Sequence, residues 1–250
     1  VPKEFDINTS ATPDEIKDLF PVTKLVGQKF GVTLIVEGNM FIEVATFREE
    51  SNYSDKRRPD TVLYTSDVTN DIKRRDFTIN GLLYDPLTGS VIDHCDGLKD
   101  IQDKVLRTIG EPRERLSEDY LRILRGIRFA NHLSFSMHKD TELAMRLKVK
   151  NIKEISIERI RDEITSILSG NRPGEGLKLL DNFGVLEEVI PELIEMKGVQ
   201  QPPDFHPEGD VFVHTCLALD MLKDDKEKGV ELLYGTLFHD IGKPDTYTVT

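Results

Sequence analysis

The sequence predicts an α+β head followed by an all-helical body. Residues 22–47 pass from a helical pattern into two strand-like runs around Gly38-Asn39. Residues 77–93 hold short apolar runs broken by Asp85-Pro86-Leu87-Thr88-Gly89. From Ser117 onward the apolar residues recur at helical spacing instead.

In chain order, the head opens on Glu4-Phe5-Asp6, two acids at i and i+2 that a strand presents on one face. Residues 22–30 read as a helix; Val32–Glu37 and 41–47 read as strands joined by a Gly38-Asn39 hairpin turn. Residues 48–73 are polar and charged with few apolar anchors, the composition of a mobile loop or lid. The body contributes helices at 117–132, 139–149, 156–169 and 174–183, with Ser117 and Ser156 as starts. Pro191, Gln201-Pro202-Pro203 and Pro207-Glu208-Gly209 punctuate the chain before a last helix pair at 211–223 and 228–241. There is no internal repeat and no low-complexity stretch.

A chain of 250 residues is long enough for two or three units with real cores. Apolar content of 38% and charged content of 31% are ordinary for a soluble protein. The net charge of −12 opposes phosphate binding over the whole surface, but the basic residues are clustered: Lys56-Arg57-Arg58, Lys73-Arg74-Arg75, then Arg107, Arg113, Arg115, Arg122, Arg125 and Arg128. Such clusters also read as solvated charged faces, equally so for Lys56-Arg57-Arg58 alone; as one basic cleft they suit compact RNA better than long duplex DNA. Cys95 and Cys216 have no partner at ligand spacing, which fits a reducing cytoplasmic setting. No apolar run is long enough to span a bilayer, no signal-peptide pattern opens the chain, and Val1 in place of Met is what a processed or excised segment would show.

Two segments carry the chemistry. In Glu118-Asp119-Tyr120-Leu121-Arg122-Ile123-Leu124-Arg125, read as one amphipathic helix, Glu118 lies one turn before Arg122 and can pin its guanidinium, while Asp119 and Arg122 project side by side. A carboxylate beside a guanidinium sets an acceptor next to donors, the complement of the pairing edges of cytosine and adenine. In Arg74-Arg75-Asp76-Phe77-Thr78-Ile79-Asn80, the arginines can each grip phosphate, Asp76 can accept from a ribose 2′-hydroxyl, and Asn80 can add a polar contact. The alternative is a helix start with Asp76 as cap and surface arginines.

These two runs resemble signature motifs of the class II tRNA nucleotidyltransferases and bacterial poly(A) polymerases. ATPDEI at 11–16, EVATFR at 43–48, YSDKRRPD at 53–60 and ERIRDEI at 158–164 extend the resemblance almost from end to end. It implies a nucleotidyltransferase head of the DNA polymerase beta superfamily, with a mixed or antiparallel sheet, over 1–112. A helical part that reads the base and holds RNA would occupy 113–190. It implies template-independent addition of C and A to a tRNA 3′ end from CTP and ATP, with Mg2+ held by Glu4 and Asp6 and Glu43 as a third catalytic acid. Arg74, Arg75, Asp76, Asn80, Glu118, Asp119, Arg122 and Arg125 would contact or brace the nucleotide, and Arg128 would meet RNA phosphate or a neighbouring acid. Poly(A) addition, or a specialised CC- or A-adding activity, belongs to the same chemistry. The sequence departs from the family in having Glu4 where Asp is usual. The glycine-rich stretch with Val-Arg-Asp that cradles the triphosphate would lie before Val1, so the head is expected to lack its N-terminal part.

The segment 191–250 carries a second pattern. His206-Pro207-Glu208-Gly209-Asp210 leads to His214, and Leu237-Phe238-His239-Asp240 follows. This resembles the start of an HD phosphohydrolase domain, truncated at Thr250, in which His214, His239 and Asp240 would hold Ni2+, Mn2+ or Zn2+. A functional or vestigial metal site and a structural His-Asp pair both fit. A metal-dependent phosphohydrolase with a degraded head, or an RNA-binding protein without catalysis, are the readings from other classes.

Overall fold

The structure, a computed structural model, describes residues 6–25, 31–51, 59, 61–202, 204, 206–223 and 229–246. The chain divides into a head, Val1–Lys99 with Thr108–Gly110, and a body, Asp100–Arg107 with Glu111–Thr250.

The head begins with β1 (Ile7–Thr9) and α1 (Pro13–Leu19). Thr12-Pro13-Asp14-Glu15 folds as a capping box: the Glu15 backbone N–H donates to the Thr12 hydroxyl, and the Glu15 carboxylate accepts from the Thr12 N–H at 2.8 Å. β2 (Thr23–Leu25), β3 (Val32–Glu37) and β4 (Met40–Thr46) complete a four-stranded mixed sheet in the order β1-β4-β3-β2. Gly38, at φ 59°, takes the first place of the two-residue β3–β4 turn, where the chain needs a left-handed residue. The expected helix at 22–30 is not what forms at its start. Thr23–Leu25 pairs antiparallel with Thr33–Ile35, because a ladder partner outweighs helical propensity; 26–30 lie outside the described residues.

The expected loop at 48–73 is also corrected. β5 (Arg48–Ser51) and β6 (Thr61–Tyr64) form an antiparallel hairpin, and α2 (Val68–Lys73) follows, started by the Asp67 carboxylate accepting from the Thr69 N–H at 2.8 Å. Polar composition concealed this order because the hairpin is held by backbone pairing and ion pairs, not by apolar anchors. β7 (Leu83–Asp85) and β8 (Ser90–Ile92) flank the anticipated turn, and α3 (Gly97–Asp103) follows.

In the body, β9 (Val105–Leu106), α4 (Pro112–Glu118) and α5 (Leu121–Leu133) precede β10 (Ser136–Met137), which pairs parallel with β9. α6 (Lys139–Lys148), α7 (Ile157–Leu168), α8 (Pro173–Asn182), α9 (Val185–Val189), α10 (Glu192–Glu195), α11 (Val211–Met221), α12 (Val230–Phe238) and α13 (Lys243–Thr246) complete it. One apolar core runs through these helices, from Leu116, Ile123, Leu124 and Ile127 to Leu177, Leu219 and Leu237. The expected single helix at 117–132 is broken. Asp119, at φ −149° and ψ 108°, ends α4, and its carboxylate accepts from the Leu121 N–H at 3.0 Å to start α5. An aspartate that can cap a new helix competes with its own place inside one.

Candidate active site and a histidine–carboxylate cluster

The geometry of the head starts from strand register. Ile7 lies opposite Val44 and Asn8 opposite Ala45, so Asp6 stands one step outside the ladder, in line with Glu43. Ile42 and Val44 face the core beside Ile16 and Ile35, while Phe41 and Glu43 are exposed. The period of two therefore puts Asp6, Asn8 and Glu43 on the face opposite the core, with both acids exposed. Glu4 and all of 53–60 except Pro59 lie outside the described residues.

Arg75 ties the second motif to that face. One guanidinium nitrogen donates to Asn8 Oδ1 at 3.2 Å and to Asp71 Oδ2 at 3.0 Å, and the other terminal nitrogen donates to the Asn80 carbonyl at 2.9 Å. Arg74 pairs with Asp71 Oδ1 at 2.7 Å and reaches Glu50 at 3.3 Å, where Arg48 Nε also arrives at 2.6 Å. Asp71 also accepts from the Arg48 backbone N–H at 3.2 Å and is fully buried. Both arginines of the RRD run are thus held by one carboxylate that the motif does not contain. Its signal in the sequence is spacing: Asp71 precedes Arg74 and Arg75 by three and four residues, the helical pairing distances. Asp76 Oδ1 accepts from the Phe77 N–H at 2.8 Å and from Asn80 Nδ2 at 3.0 Å, so Asp76 and Asn80 act as one unit.

In the body, Glu118 Oε2 holds both Arg122 at 2.5 Å and Arg115 at 2.8 Å, and Arg122 also donates to the Arg115 carbonyl at 2.6 Å. The pinning of Arg122 by Glu118 therefore forms across the break between α4 and α5. Asp119 is not on the helix with Arg122, and its Oδ2 accepts from Arg159 at 2.7 Å. Arg159 lies 40 residues away in sequence, inside the ERIRDEI run, and no local spacing points to its pairing with Asp119. Arg125 and Arg128 both lie over the Phe129 ring, and Arg128 pairs with Glu163 at 2.8 Å, a neighbouring acid.

The HPEGD run and the His-Asp pair converge within the body. Gly209, at φ 76°, turns the chain just before Asp210, whose carboxylate caps α11 at the Val213 N–H, 3.0 Å away. This brings Glu208 against His214: Glu208 Oε1 contacts His214 Nδ1 and lies 3.3 Å from His206 Nδ1. On the other edge of His214, Nε2 lies 4.0 Å from Asp240 Oδ2, and His239 Nε2 lies 3.2 Å from the same oxygen. His214, His239 and Asp240 thus offer ligand atoms close enough for one ion. Lys243 pairs with Asp240 at 2.7 Å and also contacts Gln201. Glu208 is held below the ordinary carboxylate range by its own backbone N–H first, then by the two imidazoles.

A profile described as the poly A polymerase head domain matches residues 1–107, and one described as a probable RNA and SrmB-binding site of polymerase A matches 134–197. A CCA-adding enzyme of Staphylococcus epidermidis is 41% identical over 180 residues, covering 72% of this chain and 45% of that protein. The chain belongs to the tRNA nucleotidyltransferase and poly(A) polymerase family. Enzymes of this family are nucleotidyltransferases that use a divalent metal. The solved CCA-adding enzyme of Bacillus stearothermophilus in complex with CTP has a TM-score of 0.66 and 34% identity, covering 74% of this chain and 44% of that one. A tRNA nucleotidyltransferase solved with a primer tRNA and an incoming ATP analog has a TM-score of 0.60 and 26% identity, covering 91% and 69%. The chain thus spans less than half the length of the Staphylococcus relative. No helix among the described residues is long and apolar enough to cross a membrane.

Proposed function

We propose that this chain supplies the catalytic head and base-reading region of a template-independent RNA nucleotidyltransferase that adds C and A to the 3′ end of tRNA from CTP and ATP in the cytoplasm. The observation that carries the reading is the open face of the head sheet. Asp6, one step outside the ladder, is in line with Glu43 there, and Arg75 fastens the RRD segment to Asn8 on the same face. The relatives that are solved with CTP and with primer tRNA support the choice of substrates.

In this reading the head is 1–112, base reading and RNA binding occupy 113–190, and 191–250 is the beginning of an HD-type domain. Asp6 and Glu43, with Glu4 beside them in sequence, form an all-oxygen donor set of the kind Mg2+ takes. When bound, the metal lowers the pKa of the attacking 3′-hydroxyl and neutralises charge on the leaving pyrophosphate. Asp76, oriented by Asn80, accepts from the ribose hydroxyl, and Arg74 and Arg75 contact triphosphate. Asp119 and Arg122 read the base edge, with Arg159 and Glu118 holding each in place and Arg125 bracing the base.

Incorporation of labelled CTP and ATP into tRNA ending before CCA, by the full-length protein, tests the reading. Two C residues followed by one A are expected. Runs of A would make it a poly(A) polymerase, C or A alone a specialised enzyme, and binding without transfer an RNA-binding protein.

A second reading has its own observation, the convergence of His214, His239 and Asp240. Imidazole nitrogens with one carboxylate favour Ni2+, Mn2+ or Zn2+ over Mg2+, the donor set of a metal-dependent phosphohydrolase. Hydrolysis of a 2′,3′-cyclic nucleotide that is lost in His239→Ala while CTP incorporation persists would place the two activities in separate sites.

A further inference from the structure

The histidine cluster contains a device that selects which nitrogen each ring presents. His239 Nδ1 lies 2.7 Å from the Thr236 carbonyl, which can only accept, so Nδ1 carries a proton, and in the neutral ring Nε2 is the nitrogen left to offer a lone pair. His214 repeats the arrangement with a side chain: Nδ1 contacts the Glu208 carboxylate, again an acceptor only, and Nε2 faces Asp240. Free imidazole has no comparable reason to choose that tautomer; here the neighbour on the outer edge of each ring makes the choice. The consequence is three acceptors directed at one place, His214 Nε2, His239 Nε2 and Asp240 Oδ2. Three acceptors so placed attract a cation, and the Lys243 ammonium at 2.7 Å from Asp240 already supplies part of that charge.

We infer that Glu208 is a positioning residue for a transition-metal site at His214, His239 and Asp240, holding His214 as the Nδ1–H tautomer so that Nε2 is free to ligate. This rests on the metal reading of the cluster given above. His206 belongs to the same device. Its Nδ1 donates to the same Glu208 oxygen, 3.3 Å away, and its ring meets that of His214 edge-on with centroids 4.7 Å apart, so it fixes the carboxylate that fixes the ligand. Gly209 completes it, because its left-handed φ returns Glu208 to the first turn of α11. A carboxylate behind a ligating histidine raises the ring's basicity and removes its rotational freedom, and its loss typically costs about 10- to 100-fold in metal affinity.

The test uses the full-length protein and Zn2+ as the probe, with Mg2+ in excess and His239→Ala setting the background. Zinc affinity is measured by competition with a chelating dye, and the imidazole nitrogens of the zinc-loaded protein are observed by 15N NMR. Wild type should ligate through His214 Nε2 and show a slowly exchanging Nδ1–H. Glu208→Leu should weaken zinc by about 10- to 100-fold and lose that resonance. Glu208→Gln, whose amide oxygen accepts the same proton, should keep the resonance and most of the affinity; it also serves if the leucine variant fails to fold. Equal zinc binding by wild type and both variants would overturn the inference and leave the metal site standing. Ligation through Nδ1, or a glutamine variant as weak as leucine, would overturn it too. A wild type no tighter than His239→Ala would remove the metal reading and this inference together.

Discussion

The head and the body keep their shapes by different means. The head's apolar cluster is small, Ile16, Ile35 and Val44 with Ala11 and Ile42 against it. Its motif segment is fastened by a buried carboxylate, Asp71, which binds Arg74, Arg75 and the Arg48 backbone. The body is built on a continuous apolar core, and its motif residues sit on the rim of that core. Glu118 holds two arginines there while remaining about a quarter exposed. A polar clasp buried beside a small core, in a stretch where Ile72 and Phe77 are buried as well, ties function and folding to the same residues. A clasp at the edge of a core lets them vary separately.

The largest effect is expected in the head. Asp71→Ala should destabilise it by about 3–5 kcal/mol, since removing one partner of a buried ion-pair cluster leaves two guanidinia without their carboxylate. Thermal unfolding and nucleotide incorporation should fall together. Unchanged stability would show that the arginines find other acceptors and that the contrast between the units is overstated. In the body, Leu124→Ala removes a fully buried side chain from the core and should cost roughly 2–5 kcal/mol. Base choice at a permissive temperature should not change, because Leu124 is part of the core and not of its rim.

Base choice itself is the next smaller effect. Asp119→Ala and Arg122→Ala should each cost about 1–3 kcal/mol of discrimination for C and A over G and U, in a comparison of all four ribonucleotides. Arg159→Ala should reproduce a fraction of the Asp119 effect without touching the base, because it only orients the carboxylate at 2.7 Å. Preference that survives all three changes would end the side-chain template model.

How much of this was legible in the sequence follows the same division. Helices at 139–149, 156–169 and 174–183 were readable because packing against one core imposes a period on the apolar residues. The hairpin at Arg48–Ser51 and Thr61–Tyr64 was not, since backbone pairing leaves little trace in side-chain composition. Among the residues proposed for the site, the Glu118–Arg122 pair was legible from its four-residue spacing, although it closes across the break between α4 and α5 and not along one helix. Arg159 was not, because the tertiary fold brings it to Asp119. The break at Asp119 came from one side chain offering the backbone a better hydrogen bond than the helix did.

The two cysteines allow opening of each unit to be followed without disturbing either. Cys216 is in the body core, where burial pushes its thiol up to about 12. Cys95 is in the head, packed on Gly81 with its Sγ 3.5 Å from the Thr78 carbonyl, and burial raises its thiol as well. Only the thiolate is nucleophilic, so a thiol near 12 is roughly one part in 10⁴ reactive at pH 8. Alkylation of Cys216 should therefore wait for the body to open, whereas Cys95, which is not fully buried, should react earlier. Mass spectrometry of the native protein in iodoacetamide at pH 8 should find Cys95 modified first, and Asp71→Ala should accelerate Cys95 alone. Leu124→Ala should accelerate Cys216. If either substitution speeds both cysteines equally, the units open as one, and the contrast between the head's buried polar clasp and the body's continuous core does not extend to their stability.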